Sequence, residues 1–353
     1  VTARGSGGTL PLINSIMRAE QGMISDAWNG YYRALYQVNE LQKAINTMEP
    51  SAQKDELTGT VNFVRGYIYY NLVTRWGGVP ILKENTADKV ARNPEAEVWA
   101  FIESELTAAT KLAPAFSDYY YVSQAAAKAL LARVELAQGK NTEAAALAEE
   151  VINSGQFRLD GFDKIFRNQQ NQEEIFAFRN LTTESSIAIS TLFYTYAQPN
   201  KGSYVYAPAN DVMSLYEDID KRKAFSVSVF GTDNIINKYP SGQAGTDPII
   251  VCRLGELYLI SAEAQGIAGL QRLNELRSSR GLPAIQPSAS QYADAVQLER
   301  RKELLAEGFR WYDLVRLNKA QSVLGISKAQ LKFPLPESEL VLNNLLEQNE
   351  GYN

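Results

Sequence analysis

The feature that most constrains this chain is a pair of long apolar stripes near its start. Between Met23 and Met48, Ile24, Trp28, Tyr31, Leu35, Val38 and Ile45 recur at spacings of three, four and seven. That pattern lines one face of a long amphipathic helix. Glu49-Pro50-Ser51 ends it. A second stripe, Leu57, Val61, Val64, Ile68 and Leu72, runs from about Glu56 to Arg75. Gly77-Gly78-Val79-Pro80 then stops the helix, because glycine accepts the turn and proline disfavours helix in the residue before it. Two long helices with so short a connection form an antiparallel hairpin, and the fold class that follows is mostly α.

The pattern recurs in shorter units. Pro94 to Leu112 reads as helix, and Ser123 is a natural N-cap for a helix over 124–138 that stops at Gly139. Asn141 opens another, which ends at Asn153 before Ser154-Gly155. This helix–Gly turn–helix unit of about thirty residues is similar to a tetratricopeptide repeat. A comparable pair lies at Val251–Gly266 and Leu270–Arg280, and helices over Ala293–Gly308 and Trp311–Asn318 follow. Residues 21–155 and 249–318 therefore read as a helical-repeat scaffold. Between them, over 156–248, helical periodicity lapses. Glu174–Arg179 alternates like a short strand, and the remainder is polar and aromatic, the composition of a functional loop region. Residues 319–353 read as an extended tail.

Composition removes whole chemistries. The 353 residues include no His and one Cys, which excludes Ser-His-Asp catalysis, imidazole zinc sites, an internal disulfide and Cys-rich metal sites. Neither a metal nor a cofactor is expected. Lys and Arg number 35 against 40 Asp and Glu, a net charge of −5, which argues against a protein that tracks nucleic-acid phosphates. No uncharged apolar run is long enough for a membrane-spanning helix. Residues 1–8, from Val1 to Gly8, read as a loop entered midway.

Two groups of residues carry candidate chemistry. Glu299, Glu303 and Glu307 stand four apart on one helical face, among Arg300, Arg301, Arg310, Asp313 and Arg316. As a carboxylate pair, Glu303 and Glu307 suit a glycoside hydrolase. With arginines close by, a structural ion-pair network is the stronger reading. Glu256 and Glu263 share a largely apolar helix face and need partners such as Arg277 or Arg316. Cys252 sits in an apolar run and reads as a buried, inert thiol. The second group is aromatic: among 19 Tyr, 13 Phe and 4 Trp, Tyr194, Tyr196, Tyr204, Tyr206 and the Tyr119-Tyr120-Tyr121 triplet fit no helical stripe. Open rings stack on sugar C–H faces or peptide side chains while their hydroxyls stay wet. Asn200, Lys201 and Asn210 stand ready to bond hydroxyls.

These motifs occur in an order that resembles the SusD/RagB family. The stretch Arg65-Gly-Tyr-Ile-Tyr-Tyr-Asn-Leu-Val-Thr-Arg-Trp-Gly-Gly-Val-Pro80 is similar to its long-helix signature. Ala126–Gly155, Arg253–Ala264 and Leu273–Gly281 follow, then the most specific run, Glu299-Arg-Arg through Glu307-Gly-Phe-Arg-Trp-Tyr-Asp-Leu-Val-Arg316. A tail with Phe333-Pro-Leu-Pro-Glu337 and Gln348-Asn349 closes the series. The resemblance spans about Asp26 to Asn349 and implies one domain over 1–353, with tetratricopeptide-like helix pairs carrying an irregular ligand-binding part. Phe309 stands where the family often has His.

The resemblance implies a surface-exposed outer-membrane lipoprotein that binds oligosaccharides, or in some members peptides. It lids a SusC-like TonB-dependent transporter and makes or breaks no bond itself. The signal peptide and lipid-anchor Cys are expected upstream of Val1. The expected function is thus glycan capture for import, with Tyr194, Tyr196, Tyr204, Tyr206 and Tyr120 as stacking candidates. The rival expectations are peptide binding, a glycosidase at Glu303/Glu307, and a cytosolic helical-repeat scaffold.

Overall fold

A computed structural model describes residues 2–3, 10–183 and 189–352. Its longer helices are α1 (Gly22–Asn46), α2 (Ala52–Trp76), α3 (Glu95–Leu112), α4 (Gln124–Ala137), α5 (Asn141–Ile152), α6 (Leu254–Ala264), α7 (Leu270–Ser279), α8 (Ala289–Glu303) and α9 (Arg310–Arg316). Strands are few and short: β1 (Thr2–Ala3), β2 (Glu174–Phe178), β3 (Tyr206–Ala207), β4 (Val227–Phe230), β5 (Asp233–Ile236) and β6 (Ile249–Arg253). They pair antiparallel as β1–β3, β2–β6 and β4–β5. The mostly helical class is borne out. Among the described residues, no helix is long and apolar enough to cross a membrane. Of the loop expected over residues 1–8, Thr2–Ala3 is strand and the other residues lie outside the described ones.

The chain folds into two compact units that interleave along the sequence. One comprises Ser15–Ser117, Val122–Val134 and Trp311–Asn353. Here α1 and α2 form the expected hairpin, and their stripes are buried at Ile24, Trp28, Leu35, Ile45, Val61, Ile68 and Leu72. Ser51 caps α2 by accepting a hydrogen bond from Lys54 N at 3.2 Å. The next contact is made by glycine: a Cβ on Gly59 would stand 2.1 Å from Ala113 N, and one on Gly66 2.8 Å from the Leu106 side chain. The backbone of α2 thus approaches α3 as closely as backbones can. Trp76 is wholly buried and donates from Nε1 to Pro334 O at 2.9 Å.

The other unit comprises Val1–Asn14, Asp118–Tyr121 and Glu135–Arg310. Helix α5 packs on α6, where Ser261 Oγ donates to Glu149 at 2.6 Å and Arg272 pairs with the same carboxylate. Tyr292 of α8 donates to Ala262 O at 2.9 Å. The helix expected from Val251 begins instead as β6. Ile249, Ile250 and Val251 are β-branched, and a short buried strand cannot be told from buried helix by periodicity. Helix α8 is displaced toward the N-terminus: a Ser288–Gln291 capping box starts it. It ends at Glu303, before left-handed Ala306 and Gly308.

Two further expectations are corrected. Region 156–248 is more than a loop-rich ligand face, for Phe162, Ile165, Phe166, Phe193, Val212, Tyr216, Val227, Ile236 and Tyr239 close into a core of their own. The tail over 319–353 is not extended throughout, since Ala320–Leu324 and Glu337–Leu342 are helical. Gly325 ends the first, and Pro336 precedes the second with a fixed φ suited to a helix start.

Candidate functional site

The tyrosine triplet lies beside β2, where Ala177 N donates to Tyr119 O at 2.8 Å. The Tyr119 and Tyr120 rings meet with centroids 4.5 Å apart. Asp118 accepts from Tyr120 N at 2.8 Å, and the Tyr120 hydroxyl donates to Asn168 Oδ1 at 3.1 Å. Burial raises both tyrosine pKa values, with Glu174 adding to the effect, so both hydroxyls stay protonated donors at neutral pH. The Arg179 guanidinium lies 5.4 Å from the centroid of the Tyr120 ring. Tyr121 is 68 % exposed and Phe178 39 %. Aromatic faces and a cation therefore share one open surface.

A relay of hydrogen bonds ties this surface to the 195–201 loop. Asn168 Nδ2 donates to Thr246 O, and Thr246 N donates to Ser241 Oγ. Next along the chain, Pro240 O accepts from Asn200 Nδ2 at 2.8 Å, and Gln243 N donates to Asn200 O at 3.0 Å. Tyr196, 73 % exposed, rises from the same loop. Lys201 is exposed in a left-handed conformation with φ of 42°. The relay thus links Tyr120 to Asn200, although eighty residues separate them, and Tyr196 and Lys201 stand on the Asn200 loop.

The other candidates go elsewhere. Tyr194 is buried and donates to Asn237 Oδ1 at 2.9 Å; with its ring closed off from solvent, it packs rather than presents a stacking face. Tyr204 donates to Asn234 O at 2.7 Å, and Asn234 Nδ2 reaches Asn210 Oδ1 at 3.4 Å. Tyr206 lies in β3 against Phe193, ring centroids 6.3 Å apart. Tyr204 and Asn210 therefore brace the β4–β5 hairpin, while Tyr206 covers the Phe193 core. Sequence cannot separate Tyr194 from Tyr196, because the residue type is the same and no helical period sorts the faces.

The carboxylates form a buried network, with partners other than those expected. Glu303 pairs with Arg222 at 2.8 Å, Arg253 at 2.6 Å and Arg280 at 2.8 Å. Glu307 pairs with Arg253 and Lys238, both at 2.8 Å. Glu299 meets Arg277 at 2.7 Å, while Asp220 and Glu173 hold Arg222 and Arg280. Five carboxylates (Glu173, Asp220, Glu299, Glu303, Glu307) thus face five cations (Arg222, Lys238, Arg253, Arg277, Arg280), and the network closes neutral. Arg301 instead pairs with Asp211, Arg300 with Glu263 and Arg316 with Asp313. Glu256 is buried in α6, Cys252 in β6, and Arg310 opens α9.

The neighbours expected from sequence miss because α8 ends at Glu303, which turns Glu307 off the shared face and toward β6. Burial alone would raise the Glu303 pKa, yet Arg280, Arg253 and Arg222 hold it well below the usual range. A carboxylate so paired and closed from water cannot act as a general acid, which removes Glu303/Glu307 as a glycosidase pair. Arg253 was legible only as an isolated charge in the apolar run Ile250-Val251-Cys252-Arg253-Leu254, and Arg222 was hidden in the charged run Asp218-Ile-Asp-Lys-Arg-Lys223. Among the described residues no acidic or Cys cluster suits a metal ion. In the other unit, a cleft of about 860 Å³ opens between residues 15–20 and 327–352, lined by Arg18, Glu20, Gln330, Glu337, Leu340 and Tyr352.

Comparison with known proteins agrees with this architecture. A family profile described as "Starch-binding associating with outer membrane" matches residues 3–136, and one described as "SusD family" matches 168–332. The SusD-like protein P38 of Formosa agariphila is 26 % identical, over 98 % of this chain and 83 % of its own. A solved laminarin-binding SusD-like protein superposes with a TM-score of 0.88 at 25 % identity, covering all of this chain and 92 % of that one. Surface glycan-binding protein A of Bacteroides uniformis shares the fold, with a TM-score of 0.87 at 21 % identity over 99 % of this chain and 91 % of its own.

Proposed function

This chain belongs to the SusD/RagB family, and from that premise we propose that it captures an oligosaccharide at the cell surface and passes it, chemically unchanged, to a TonB-dependent transporter. In the same reading it is a lipid-anchored protein of the outer membrane. The observation that carries glycan capture is the pair of exposed rings, Tyr121 beside Tyr120 and Tyr196 on the Asn200 loop that the relay joins to Tyr120, backed by hydroxyl and amide groups already held in place. Sugar rings present flat C–H faces, so a stacked tyrosine gains apolar contact while neighbouring hydroxyls remain bonded to water or protein. The laminarin-binding SusD-like protein, which has the same fold, supports the ligand class.

The test is a panel of plant and host polysaccharides, scored by affinity electrophoresis and calorimetry against wild type and Tyr121→Ala/Tyr196→Ala. Losing two stacking rings is expected to weaken retention of the bound glycan by about tenfold or more, with an unaltered circular dichroism spectrum. Unchanged affinity would remove this surface as the site. Retention of peptides and of no glycan would replace the ligand class.

A further inference from the structure

Building on the proposed glycan-binding surface, we infer that its ligand carries an anionic group, a uronate carboxylate or a sulfate ester, received by Arg179. The Arg179 side chain is exposed immediately after β2, and no described residue forms an ion pair or hydrogen bond with it. Its guanidinium nonetheless has a neighbour, lying over the Tyr120 ring 5.4 Å from the centroid. That ring is itself fixed on two sides, by Tyr119 at 4.5 Å and by the hydroxyl bond to Asn168, which is clasped in turn to Thr246. A guanidinium that rests over a ring still has N–H donors to offer a second partner, and its planar fork matches two oxygens of a carboxylate or sulfate.

Among the described residues, the neighbouring carboxyl groups leave the cation available. Glu174, buried next to the triplet, has its pKa pushed up to about 8, chiefly by burial, and is mostly neutral at pH 7. Asp247, at the far end of the relay, is likewise pushed up, chiefly by burial. Asp118 is exposed, but it is turned to the Tyr120 backbone N–H and forms no ion pair with Arg179. Elsewhere in this unit, Arg222, Arg253 and Arg280 are saturated by carboxylates. Arg179 is the contrast: it is exposed beside the Tyr120 ring, and no described carboxylate pairs with it.

The experiment titrates three probes: a galacturonic acid oligosaccharide, its carboxyl-reduced neutral counterpart, and a sulfated galactan oligosaccharide. Wild type, Arg179→Gln and Arg179→Lys are compared at low and high salt. Wild type is expected to bind at least one acidic probe about tenfold tighter than the neutral one, less so at high salt. The uronate and sulfate arms show which anion is read. Arg179→Gln should abolish the preference, and Arg179→Lys should restore it only in part, lacking the planar fork. Equal binding of acidic and neutral probes, or a preference that survives Arg179→Gln, overturns the inference and leaves the glycan surface standing. If no probe binds and the wider polysaccharide panel is also negative, both readings fall.

Discussion

Gly255 sets two opposing effects of known size against each other. It is the second residue of α6, where alanine is the better helix former by at most about 1 kcal/mol. A Cβ there would stand 2.6 Å from Arg253 Nη1, 2.7 Å from Glu303 Oε1 and 2.8 Å from Glu173 Oε1. All three atoms belong to the buried charge network and are held by each other, so none can retreat without lengthening an ion pair. Breaking a buried pair costs about 3–5 kcal/mol; forcing three groups apart by half an ångström or so forfeits part of that. The net expectation for Gly255→Ala is a loss of about 2–4 kcal/mol. Gly30, exposed in the middle of α1 with nothing within 4 Å of an added Cβ, is the matched control, and Gly30→Ala should be neutral to about 1 kcal/mol stabilising. Urea and thermal unfolding of both variants beside wild type measure the difference, with the urea slope checked for constancy. If Gly255→Ala unfolds at or above the wild-type midpoint, the network yields easily and the reasoning is wrong.

Two further outcomes are expected. The Glu174 pKa lies at about 8 against an ordinary 4.5, so the stability linked to its neutral form is complete below about pH 4.5 and is lost as pH rises through 8. At about 1.4 kcal/mol per pH unit, the ceiling on that loss is about 5 kcal/mol. Glu174→Gln should therefore gain on wild type progressively between pH 5 and 9 in unfolding experiments, and a constant difference across that range would refute the assignment. Glu303→Gln should leave Arg222, Arg253 and Arg280 undercompensated and cost about 3–5 kcal/mol in urea; a neutral result would mean the pairs contribute nothing net.

The legible part of this fold was the part ruled by local periodicity. The stripes of α1 and α2 place Trp28 and Leu72 in the core because a helix repeats every few residues, whatever lies elsewhere. The strand β6 was misread because Ile249–Cys252 is apolar throughout, and only its pairing with β2 separates strand from helix. The carboxylates of α8 were recognised as structural, yet Glu303 meets Arg222, Arg253 and Arg280, and no local rule connects residues so far apart. At the candidate site the triplet stood out as rings without a stripe. The relay from Tyr120 through Asn168 to Asn200 is a tertiary property, so it could not be read in advance.

The charge network also imposes a timetable. Asp220 and Arg222 neutralise each other, as do Glu173 and Arg253, but buried Lys238 pairs with Glu307, far later in the chain, and a lone charge is not stable in a dry interior. A polypeptide made from its N-terminus therefore cannot seal this region stepwise. Its phenylalanine core must remain open to water until residue 307 has emerged, and closure is then one long-range event with a high entropic barrier. Contacts that form so late belong to the far side of the folding barrier, and they slow unfolding more than they speed folding. In the proposed cell-surface setting, slow opening matters more than equilibrium stability.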